Sequence, residues 1–108
     1  RGVFAGGSGN VIQYITIASV GNATDFGDLA ANKSNNAGFS SAVRGVFSGD
    51  VNGSYDTMEY ITIANTGNTT DFGNLSAGRY GLTGLASPTR GVNAGGQNDR
   101  LCYNSFYR

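Results

Sequence analysis

The sequence has no histidine, a single cysteine, and charge on only 13% of its 108 residues. Without an imidazole the usual acid-base group at neutral pH is missing, along with the partner that would lower a thiol pKa. Cys102 has no second cysteine for an internal disulfide, so packing and sheet hydrogen bonds must stabilise the fold, and the residue reads as a small core side chain. These absences predict a protein that is not an enzyme. Seven basic residues balance seven acidic ones for a formal net charge of zero. With no basic cluster to follow a phosphate backbone, nucleic acid is not expected as a partner. Apolar runs such as Ile15 to Ala18, broken by Thr16, fall far short of the roughly 20 residues that span a bilayer, so no membrane insertion is expected. The opening RGVFAGG lacks the charged-then-apolar pattern of a secretory signal, and with Arg1 in first place the gene is expected to begin upstream.

What is present is 39% apolar residues, 18 glycines and a surface whose solubility must come from Asn, Ser and Thr. A chain of this length is one small domain that buries roughly 65% of its unfolded surface. Its wording repeats. RGVFAGG begins at Arg1, RGVFSGD at Arg44 and RGVNAGG at Arg90, spacings of 43 and 46. The windows from Tyr14 to Arg44 and from Tyr60 to Arg90, 31 residues each, match without gaps at 16 positions. We divide residues 1–108 into one repeat region: repeat 1 at 1–43, repeat 2 at 44–89, and a partial repeat 3 at 90–108.

A period in the forties suits either a four-stranded propeller blade or a pair of helices. Abundant glycine and short β-branched apolar runs exclude helices. The segments YGLTGLAS, RGVFSG, TMEYITIA and TDFGNL predict four strands per unit, each bounded by Gly, Asn, Pro or Ser. Along MEYITIA, Tyr60 and Thr62 alternate with Ile61 and Ile63, which gives bulk to both faces and calls for a neighbouring sheet on each side. The glycines of FAGG and NAGG are expected at a crowded axis where inner strands meet. The fold class is therefore all-β, as antiparallel four-stranded blades, with about two and a half repeats forming an incomplete ring.

Gly6-Gly7 followed by Tyr14, and Gly95-Gly96 followed by Tyr103, resemble the kelch family of β-propellers. The middle copy departs with Gly49-Asp50, and Phe26 and Phe72 stand where kelch fourth strands have tryptophan. The wording RGVFAGG, YITIA and GNATDFGDL is also similar to tandem repeats in tail-fibre and other virion proteins of bacteriophages, notably those infecting cyanobacteria. That resemblance implies an extracellular part of a virion, whose partners are other virion proteins, copies of itself, or host surface polysaccharide. Some kelch-type propellers are copper oxidases, but the histidine ligands of that chemistry do not exist here.

Several residues are candidates for chemistry. DVNGSYD alternates the oxygen donors Asp50, Asn52, Ser54 and Asp56, a pattern calcium favours; an ordinary Asn-Gly turn accounts for the same letters, and no other cofactor is expected. Asp25 and Asp71 are expected to accept backbone N–H bonds within their turns. Arg1, Arg44 and Arg90 recur in place, which suits a planar fork satisfying carbonyls or an aspartate between blades. Tyr55, Arg79, Tyr80 and Gln97 differ between copies, and their aromatic and amide groups suit stacking on sugar rings and bonding hydroxyls. The sequence thus predicts a non-enzymatic structural or adhesive segment of a phage tail fibre. A cellular kelch-like domain that binds a protein partner is the alternative, and a carbohydrate-active enzyme fragment is a third. Two and a half units cannot close a propeller, so the chain is part of a longer protein, one of several copies in a ring, or a linear stack.

Overall fold

The computed structural model describes residues 1–51 and 56–97. Within them lie nine strands in three antiparallel sheets, none closed into a ring, and no helix. The first sheet runs β1 (Gly2–Ala5), β2 (Gly9–Ile15), β3 (Thr24–Lys33). The second is a four-stranded meander of β4 (Ala37–Ser40), β5 (Arg44–Ser48), β6 (Thr57–Thr62) and β7 (Thr70–Asn74). The third pairs β8 (Tyr80–Ala86) with β9 (Gly91–Gln97). Among the described residues only the second sheet has the four strands anticipated for a unit, and its first strand is Ala37–Ser40; the segment YGLTGLAS, expected as that outgoing strand, is β8 and pairs with β9 in the third sheet.

Equivalent letters make equivalent geometry. Ser41 and Ser87 each accept hydrogen bonds through Oγ from the amides two and three residues on, closing the β4–β5 and β8–β9 turns alike. A bulge falls at Ile12/Gln13 and again at Met58/Glu59, opposite Gly27 and Gly73. The Gly-Gly pairs differ from expectation. Gly6, Gly7 and Ser8 hold φ of 94°, 79° and 76° in the β1–β2 turn, and Gly95 and Gly96 take 76° and 87°. Left-handed backbone demands glycine throughout, while close approach adds to it at one member of each pair: a Cβ at Gly96 would meet the Tyr80 carbonyl oxygen at 2.8 Å and one at Gly6 the Asn36 side chain, whereas at Gly7 or Gly95 it would meet nothing within 4 Å. The segment expected as a short edge strand is also longer in the first copy, where β3 extends over ten residues to Lys33.

The core lies between the first two sheets. Ile12, Phe26 and Leu29 pack on Phe47 and Ile61, with Val3, Tyr14 and Ile63 at the margin. Both faces of the second sheet are occupied, as the alternation of MEYITIA requires: Phe47 and Ile61 face the first sheet, while Val46 and Ser48 face the third. The β6–β7 connection lies along the outer edge of β3, where the Gly67 and Thr69 amides donate to the Phe26 and Asp28 carbonyls at 2.8 and 3.0 Å. Asn68 Oδ1 accepts the Asp28 amide at 3.0 Å. That bond joins two sheets, whereas Asp25 and Asp71, expected to accept backbone amides within their own turns, are exposed.

Candidate functional site

The unrepeated polar residues gather where turns from three strand pairs meet. Tyr80 opens β8 and Gln97 ends β9 as cross-strand partners, and the Tyr80 hydroxyl donates to Gln97 Oε1 at 3.1 Å. Arg79, one residue before β8, donates from Nη1 to the Gly95 carbonyl at 2.8 Å. The structure therefore brings together three of the four residues singled out for sugar contact. Tyr55 lies outside the described residues.

Asp50 borders this group from the β5 side and is 1% exposed. Its Oδ1 accepts the Ser34 amide at 3.1 Å, and its own amide donates to the Arg79 carbonyl at 3.3 Å. Asp50 thus joins the β3–β4 turn, through its carboxylate, to the approach of β8, through its backbone amide. Asp56 is half-buried, and its backbone carbonyl accepts the Leu75 amide at 2.6 Å. Asn52 and Ser54, the other donors of the calcium reading, lie outside the described residues, and among the described residues no three acidic, histidine or cysteine side chains cluster as metal ligands.

Arg1 and Arg44 have a shared use that sequence spacing only partly indicated, while the ring at the equivalent place for Arg90, Tyr103, lies outside the described residues. Arg1 lies over the Tyr14 ring at 4.4 Å and Arg44 over Tyr60 at 4.2 Å. Each tyrosine meets a phenylalanine edge to face, Phe26 at 5.8 Å and Phe72 at 6.0 Å. The guanidinium is held by the ring's electron-rich face, and the ring by the next ring's edge. Arg1 also donates to the Ile63 carbonyl of the second sheet at 2.8 Å, a carbonyl contact between sheets of the kind anticipated.

Sequence reasoning missed the buried ion pair. Lys33 and Glu59, 1% and 2% exposed, approach to 3.2 Å between the first and second sheets. Glu59 Oε1 also accepts the Ala30 amide at 2.9 Å and the Thr69 hydroxyl. Oε2 has the lysine alone. The available signal was that Lys33 and Glu59 are the sequence's only lysine and glutamate and that Glu59 alternates onto the face of Ile61; repeat position gave none, since Gln13 and Cys102 stand in place of Glu59.

Two of the surface clefts lie between sheets. One of about 270 Å³ separates the first and second sheets, lined by Arg1, Val3, Phe39 and Gly45. The other, of about 320 Å³, lies between the second and third, lined by Arg44, Val46, Phe72 and Gly91. Arg1, Val3 and Gly45 occupy the repeat positions of Arg44, Val46 and Gly91, so the clefts follow from how consecutive sheets meet. No family model matches the chain, and no curated protein and no solved structure matches it significantly.

Proposed function

We propose that the chain is a non-enzymatic structural and adhesive segment of a phage tail fibre or similar extracellular virion appendage. In this reading its sheets are kelch-like propeller blades within a larger array, and its exposed polar end contacts host surface polysaccharide. The observation that carries the proposal is a division of labour. Repeated residues are spent on the fold, as Arg–Tyr–Phe stacks and serine-closed turns, while the unrepeated Arg79, Tyr80 and Gln97 share one end. An aromatic face beside amide and guanidinium donors is the chemistry that holds a sugar ring and its hydroxyls. The virion assignment rests on the resemblance of the repeat wording and on the neutral Asn, Ser and Thr surface.

A glycan array carrying bacterial surface polysaccharides tests the adhesive half. Binding that Tyr80→Ala abolishes without loss of the sheet signal in circular dichroism is the expected result. No signal on any polysaccharide removes that half and leaves a scaffold.

A further inference from the structure

Successive sheets are written in nearly the same letters, so apolar packing alone does not say which sheet belongs beside which. The windows that begin at Tyr14 and Tyr60 share 16 of 31 letters, and Phe4 and Ile15 stand at the repeat positions of Phe47 and Ile61. A face of Ile12, Phe26 and Leu29 that accepts Phe47 and Ile61 has no apolar reason to reject the first pair. Modules this alike are prone to assemble with the wrong neighbour.

Charge breaks the tie. The chain's one lysine and one glutamate, Lys33 and Glu59, are both buried at the same junction, 3.2 Å apart. The place of Glu59 is taken by Gln13 in the first copy and Cys102 in the third, and a neutral amide or thiol does not neutralise an ammonium. The place of Lys33 is taken by Arg79 in the second copy, whose guanidinium donates to the Gly95 carbonyl at 2.8 Å. Neither charge has an equivalent at the other positions of the repeat that would serve its partner as well.

The pair is also joined to the rest of the contact between the first two sheets. Glu59 Oε1 accepts the Ala30 amide of β3 at 2.9 Å and the Thr69 hydroxyl, and the Thr69 amide donates to the Asp28 carbonyl at 3.0 Å. One carboxylate thus engages both the last strand of the first sheet and the connection that lies along it. The approach leaves no slack, because a Cβ at Gly27 would collide with the Gly67 carbonyl.

We propose that Lys33 and Glu59 act as an address, selecting the second sheet as the neighbour of the first. Docking the first sheet against a face that carries Gln13 or Cys102 in place of Glu59 would bury the Lys33 ammonium unpaired. A buried pair largely offsets its own desolvation, whereas one charge buried alone is costly, so the pair contributes more to discrimination than to stability. Neutral side chains of similar size should hold this junction without choosing it.

The test compares three versions of the whole chain: the wild type, the neutral double variant Lys33→Met with Glu59→Gln, and Ile61→Val, which weakens the same junction and keeps both charges. Each is refolded from urea, and the amides of Asp28, Gly67 and Thr69, whose hydrogen bonds cross between the sheets, are followed by NMR. Wild type and Ile61→Val should each show one resonance per amide. The double variant should keep its sheet signal in circular dichroism yet show additional resonances, with the share of chains in a second environment at least about tenfold above the wild-type level. One resonance per amide in the double variant overturns the inference. Loss of its sheet signal does so too, by making the pair a brace for the fold, and split resonances in Ile61→Val would trace misdocking to lost stability instead of lost charge.

Discussion

Glu59 and Lys33 meet in a place where water would otherwise be the only adequate partner for either charge. Desolvating both is costly, and the pair offsets this through one short approach plus the Ala30 and Thr69 hydrogen bonds to Oε1. Removing one partner should be worse than removing both charges. We expect Lys33→Met to lower unfolding free energy by about 3–5 kcal/mol, because it leaves a buried carboxylate. Lys33→Met with Glu59→Gln should recover a large part of that loss, since the amide oxygen can still accept from Ala30. Urea denaturation of both single variants and the double variant measures the coupling. A double variant no more stable than Lys33→Met would show that the charge pairing is not what matters.

Individual strands gain their value from the sheet they face. β1 and β5 carry the same RGVF wording, yet Phe47 is buried against the first sheet and Phe4 stands 59% exposed. Identical truncations should therefore have unequal effects. Phe47→Ala removes a core ring and should destabilise by about 3–5 kcal/mol, whereas Phe4→Ala in dilute solution should cost less than about 1 kcal/mol. Thermal melts at low protein concentration compare them, and equal shifts would contradict the burial assigned to these strands. The strands themselves were legible beforehand: YGLTGLAS, RGVFSG and TMEYITIA fall on β8, β5 and β6 because period-two alternation bounded by turn residues is a local signal. The Gly-Gly pairs were read only in part, because a glycine doublet fits both close approach and a left-handed backbone, and here both apply: all four glycines have positive φ, and Gly6 and Gly96 are also crowded.

Across the whole molecule the sheets form an elongated body of 51 × 28 × 23 Å with a radius of gyration of 14.4 Å, against about 13 Å for a compact domain of this length. Dilute small-angle scattering should give a distance distribution with a long tail on the high side. A symmetric bell, as from a compact particle, would contradict the open stack. The candidate sugar site belongs to this scale too, because Arg79 and Tyr80 reach Gln97 only when β8 and β9 pair, and Asp50 reaches them only when the second sheet docks beside the third.

By itself the sequence determined the repeat, the strand content, the absence of imidazole chemistry and the bulk on both faces of the middle sheet, since all of these follow from local letters and their spacing. Tertiary structure alone decided that Lys33 faces Glu59, that arginine lies over tyrosine, that Asp50 accepts a backbone amide, and which apolar face of the second sheet meets the first sheet and which the third. Those outcomes depend on which sheet meets which, and contacts between residues far apart in the chain leave no periodic trace.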